Sequence, residues 1–333
     1  LLLSSNNNRF LSSLILFFLS CYYFNNNNNY TVVRAWNHNH PTPRREAIVD
    51  SIRKITTGVS SLAVISGLGD NYVLAATTSI SSRMNTDILT IPSPSSASEL
   101  NGVDNLYYPP WMEGEWDVVQ TLVNVSTPLG IKYLGGPNGI ESIGRESITE
   151  AQTQLDKPVR FQLNYRKTKW GVAEDRLFNT RQRLDAFAGR SVVANVQYAD
   201  VGVSNRQTLV NLGGTENDPL QTTMTRFKGP AAQKTFVVSH GIEKDNNTTN
   251  TNHWVGYELD RSIFALTNSN TAPPLTTDSE LVWDITRIDD TSLKANLRLA
   301  GYLNAQSDTL YFDARQRAVS LQDYTLVYTK KQE

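Results

Sequence analysis

The chain has 333 residues, with 31 Lys and Arg against 32 Asp and Glu for a formal net charge of -1, so it carries no bulk charge suited to nucleic acid or an acidic membrane face. Its length allows one large or two ordinary domains. Its single cysteine, Cys21, lies in a leader-like N-terminus, so a mature chain without it has no disulfide, thiolate metal site or cysteine nucleophile. Four histidines, His38, His40, His240 and His253, limit catalytic histidine chemistry to the last two.

Residues 1–76 read as a bipartite targeting region. Within 9–24, Arg9 precedes the apolar run FLSSLILFFLSCYYF, which is short and serine-interrupted and fits the hydrophobic part of a secretory signal. The Asn tract at 25–29 needs no structure. In 44–76, Arg44 and Arg45 precede the weakly apolar ITTGVSSLAVISGL, and Leu74-Ala75-Ala76 offers a cleavage site. That pattern suggests a twin-arginine export signal, the alternative being an amphipathic helix with a chance Arg pair. The expected mature start is near Thr77, and residues 77–105, rich in Ser, Thr, Asn and Pro, read as a flexible lead-in.

From Trp111 onward the signals are β. Pro109 and Pro110 hold the backbone extended, and Gly114-Glu115-Trp116 opens a run in which Trp116, Val118, Gln120 and Leu122 share one face. The strand over 116–125 is followed by strands over 159–165, 191–198, 206–212, 221–227, 235–240, 253–259, 262–267, 281–288, 293–303 and 322–328. One segment, 173–189, has helical spacing at Leu177, Arg181, Leu184 and Phe187 and a glycine at its end. A spacing of about ten residues between strand centres predicts a mainly β fold. The simplest architecture is an antiparallel lipocalin-like barrel over 106–330, with the short helix over one mouth and 321–329 returning beside the first strand to close it. Arg315 and Arg317 are candidates to stack over Trp116, the alternative being that both are ordinary loop arginines.

The strings LYYPPWMEGEWDVVQTLV, GVAEDRLFNT and AGYLNAQSDTLYFDARQRAVSLQDYTLVYTK make the body, from about Leu106 to Thr329, similar to an uncharacterised lipocalin-like domain family of cyanobacteria and plastids of photosynthetic eukaryotes. The resemblance implies fold and location but no reaction, so it carries over no catalytic residue. The tandem leader resembles that of thylakoid-lumen proteins and implies that address.

Candidate chemistry is sparse. Glu174-Asp175-Arg176 with Asn179 can bind an anion or headgroup, or be a helix cap with Arg176 pairing outward. His240 and His253 flank a polar hairpin tip and, with Glu243 or Asp245, make at most a weak metal site, so no metal and no cofactor is expected. Asn246 and Asn247 begin glycosylation sequons, relevant only in a secretory compartment. Trp116, Trp254, Tyr257 and Trp283 either fill the core or line an apolar cavity, with Arg160, Arg226 and Arg298 as polar anchors. Three readings follow: a binding protein for a lipid, carotenoid or other apolar small molecule, a non-enzymatic accessory factor of a photosynthetic membrane complex, and an enzyme using Asp175, Glu258 or Tyr257. None involves nucleic acid.

Overall fold

A computed structural model describes residues 79–93, 105–199, 206–243, 252–267 and 274–331. The two leader segments, the sequons and Asp245 lie outside the described residues. Eleven strands form one sheet: β1 (Tyr107–Tyr108), β2 (Gly114–Ser126), β3 (Pro158–Lys167), β4 (Val172–Glu174), β5 (Val193–Tyr198), β6 (Thr223–Phe227), β7 (Ala231–Ile242), β8 (His253–Leu266), β9 (Leu275–Arg287), β10 (Ser292–Tyr302) and β11 (Ser320–Lys330). Among the described residues five short α-helices accompany them: α1 (Ile80–Arg83), α2 (Glu141–Gln152), α3 (Arg176–Phe187), α4 (Arg206–Asn211) and α5 (Tyr311–Ala314).

The strand order is β1-β4-β3-β2-β11-β10-β9-β8-β7-β6-β5, with every pairing antiparallel. The last strand does return beside the first long one, β11 against β2. The expected closure, however, does not occur. β1 and β5 end the sheet unpaired with each other, and the result is a strongly curled, open half-barrel. The reason lies in the edge: β1 has two residues and β4 three, too few to build a closing ladder. Helix α3, which links β4 to β5, occupies the gap instead. Its Phe187 packs on Phe161 of β3 with ring centroids 6.1 Å apart, and its Leu184 joins Val193 and Val196 of β5 in a second apolar cluster.

Period-2 alternation places one apolar set on the concave face. Trp116, Val118 and Leu122 of β2 are buried there with Phe161 and Leu163 of β3, Trp283 and Ile285 of β9, and Tyr324, Leu326 and Tyr328 of β11. Gly114 starts β2 at φ +115°, a backbone state that disfavours a side chain, and the Lys330 chain lies over it. The cation over the Trp116 ring is therefore Lys330, 5.5 Å from the ring centroid, and not Arg315 or Arg317. Those two belong to the turn after α5: Arg315 has φ 52°, and Arg317 donates Nε–H to the Ala314 carbonyl. The Trp116 indole donates to the Met112 carbonyl at 2.8 Å, so this fully buried side chain leaves no polar atom unpaired.

Several segments differ from their sequence reading. Residues 206–211 form helix α4 rather than a strand, and the Gly213-Gly214 pair that reads as a strand stop ends a helix, Gly213 sitting at φ +90°. The runs 253–259 and 262–267 are one continuous strand, β8. On the convex face, residues 79–93, within the segment expected to be a flexible lead-in, lie as a strap. Leu89 packs with Leu259, Ala300 and Tyr302, and the Ala318 amide donates to the Leu89 carbonyl at 2.8 Å. Arg83 donates from Nε and Nη2 to the buried Glu280 carboxylate at 2.6 and 2.7 Å, and the Tyr302 hydroxyl donates to the same carboxylate at 2.6 Å.

Candidate functional site

The hollow of the half-barrel contains a cavity of about 100 Å³. One wall is apolar, made by Leu281 and Trp283 of β9, Leu297 and Leu299 of β10 and Leu326 of β11. The other is polar, made by Glu174, Arg176 and Arg183 beside Glu258, Asp260 and Ser262 of β8. The chemical boundary runs along the β8–β9 seam, where Glu258 stands opposite Leu281 and Asp260 opposite Ser279. Both chemistries face inward because each strand keeps its parity across the seam.

Local sequence explains the helix side. Asp175 caps α3, its Oδ1 accepting from the Phe178 amide at 3.2 Å, as the cap reading expects. The spacing 176, 180 and 183 then places Arg176, Thr180 and Arg183 on the cavity side, while Leu177 and Leu184 face the second apolar cluster. Arg176 thus points inward, not outward. Its Nη1 donates to Glu258 Oε1 at 2.8 Å and its Nη2 to Glu258 Oε2 at 2.5 Å. Arg183 donates to Glu174 Oε1 at 2.5 Å, and Asn179 donates to the same oxygen at 3.0 Å.

Asn179 also fastens α3 to the sheet. Its Oδ1 accepts from the Asn164 amide at 2.7 Å, and its Nδ2 donates to the Asn164 carbonyl at 3.1 Å, the pairing a neighbouring strand would supply. Fully buried, it is a structural residue at the base of the polar wall.

Burial pushes the Glu174 carboxyl up, but the Arg183 and Arg176 charges and the Asn179 hydrogen bond together outweigh it and hold Glu174 below its ordinary value. Burial first, then the neighbouring Glu258 charge, raise the Asp260 carboxyl well above the usual range. The Arg176 charge also pulls it down, but it does not prevail. Burial likewise raises Tyr328, to about 12. The two acids on one strand face therefore behave differently, one salt-bridged and one favouring the protonated form.

Of the sequence candidates, Arg176 and Trp283 line the cavity, as does Glu258. Trp116 and Trp254 are core, the latter stacked on Tyr108 at 4.7 Å. Arg160 and Arg226 are exposed, and Tyr257 is half-buried. Arg298 is held on the convex face by Asp323 and the strap carbonyls of Arg83 and Thr86. Glu243 accepts from Ser81 of the strap, and His253 pairs with Asp284 at 2.8 Å, while His240 stands opposite Glu258 in register. Among the described residues no cluster of three or more His, Cys, Asp or Glu can hold a metal. Asp260 and Arg183 escaped sequence reasoning, although the alternation Glu258, Asp260, Ser262 and the helical spacing from Arg176 to Arg183 were visible signals.

No curated protein and no solved structure matches the chain. The family described as a domain of unknown function, DUF6816, matches residues 101–332, and on that match, which spans every strand of the half-barrel, the chain belongs to this family.

Proposed function

We propose that this is a small-molecule-binding protein of lipocalin-like type that holds an apolar or amphipathic ligand in the hollow of its curled sheet, in the thylakoid lumen. The observation that carries the reading is the two-chemistry cavity, an apolar wall facing a polar one inside an otherwise packed core. The address rests on the tandem leader, and the expected cut before Thr77 lies just ahead of the strap, so a mature chain keeps Arg83 on Glu280. Size narrows the ligand. A dry cavity of about 150 Å³ accepts benzene, so one of about 100 Å³ encloses a short chain or part of a compact ring, the remainder lying in the open side. A carotenoid or an intact lipid would be held by one end, the rest leaving through the open side. The test is to purify the protein from a host supplied with photosynthetic pigments and lipids and to extract it for mass spectrometry. A stoichiometric apolar compound supports the reading. An empty interior that also takes up no added ligand moves the protein to the accessory role on a membrane complex.

A further inference from the structure

Resting on that binding reading, we infer that the polar wall selects an uncharged, oxygen-bearing group, a hydroxyl or carbonyl, at the end of a compact apolar ligand. Three buried atoms there have no hydrogen-bond partner: Gln120 Nε2, Arg176 Nε and Asp260 Oδ1. Gln120 is the most telling. It is 3 % exposed, lines the cavity from β2, and stands between Val159 and Leu326 in register, where an apolar side chain would pack at no desolvation cost. Two of the three atoms are N–H donors, the complement of a neutral oxygen, and Asp260 Oδ1 adds a carboxyl oxygen for a ligand hydroxyl.

Charge excludes the other ligand classes. Arg176 is matched by Glu258 and Arg183 by Glu174, each through a direct ion pair. A carboxylate entering this enclosure would bring a charge with no free counter-ion and would have to break one of those pairs, and an ammonium would find only the Asp260 carboxyl, which it would first have to ionise against the neighbouring Glu258. Three neutral groups on β7 and β8 are engaged with each other: Gln233 Nε2 donates to Ser262 Oγ at 3.1 Å, and Thr235 and Ser262 share a hydrogen bond of 3.0 Å. They form a closed polar backing, and the three unpaired atoms remain as the reading head.

The test uses the purified protein and five size-matched probes by titration calorimetry: cyclohexanol, cyclohexanone, methylcyclohexane, cyclohexanecarboxylate and cyclohexylammonium. The alcohol and ketone are expected to bind about tenfold or more tightly than methylcyclohexane, and the two ions at least about tenfold more weakly than the alcohol. Gln120→Leu is expected to erase most of the alcohol's advantage over methylcyclohexane, and where that variant does not fold, the ranking on the unaltered protein decides. Equal binding of methylcyclohexane and the alcohol, or tighter binding of either ion, overturns the inference while leaving the binding function standing. Binding of none of the five overturns both.

Discussion

Arg176 and Glu258 are 82 residues apart in sequence and meet through two parallel hydrogen bonds, one from each terminal nitrogen of the guanidinium. The pair ties the helix that fills the gap between the sheet edges to the strand where the cavity wall turns polar. Fold and cavity therefore share one contact.

Removing the cation should be costly. Arg176→Met leaves Glu258, with only 4 % of its side chain exposed, beside Asp260 with no counter-charge. A loss of about 3–5 kcal/mol in unfolding free energy is expected from urea titration. Arg176→Met combined with Glu258→Leu should recover much of it, because the stranded charge goes too.

Asn179 should matter through the backbone it pairs. Asn179→Ala abandons the Asn164 amide under the helix and leaves the Asn164 carbonyl with the Asp175 amide alone, an expected cost of about 1–3 kcal/mol. Asn179→Asp should cost more, since it loses both donated bonds and sets a second carboxylate against Glu174. Chemical denaturation of the two variants side by side checks the order.

The convex strap should depend on Arg83. Its partner Glu280 has no exposed side-chain surface, so Arg83→Met strips a buried carboxylate. A released strap readmits water, which places the expected loss near the low end of the range for such pairs, about 3 kcal/mol. Limited proteolysis should then cut within residues 79–93 faster than in the unaltered protein.

Acid stability should carry two opposed contributions. Burial raises Asp308 from 3.8 to about 6, its Oδ2 accepting from the Asn304 amide at 2.7 Å. A carboxyl raised in the folded state contributes stability that is full below its unfolded value and is lost as pH rises through the folded one, here from about pH 4 to 6. Glu174, held low, works the other way: its stability is present above 4.5 and disappears as pH falls through its lower folded value. Asp308→Asn should make the fall in stability between about pH 4 and 6 shallower, the part due to the raised Asp260 carboxyl remaining, and leave the loss at lower pH. Thermal unfolding across that range checks it.

Much of the fold was legible because strands with one buried face advertise it. Trp116, Val118 and Leu122, or Leu293, Ala295 and Leu297, alternate cleanly and are buried as that alternation implies. The helix over 176–187 was legible from Leu177, Leu184 and Phe187 and from its Asp175 cap. The segment 206–211 was not, since six residues with Leu209 as the single buried one carry too short a pattern to tell a turn of helix from a strand. Openness was also hidden. Whether eleven strands close depends on edge lengths and on where α3 settles, both set by contacts far apart in the chain. The polar wall was the least visible part, for Arg176 finds Glu258 and Asp260 only after the sheet has curled.

The most direct test of the central claim is a crystal structure of the protein with cyclohexanone. The ketone ring is expected against Trp283 and Leu297, with its oxygen within hydrogen-bond reach of Gln120 Nε2 or Arg176 Nε. A hollow that holds only ordered water at saturating ketone, with Gln120 and Arg176 satisfied by that water, would contradict it.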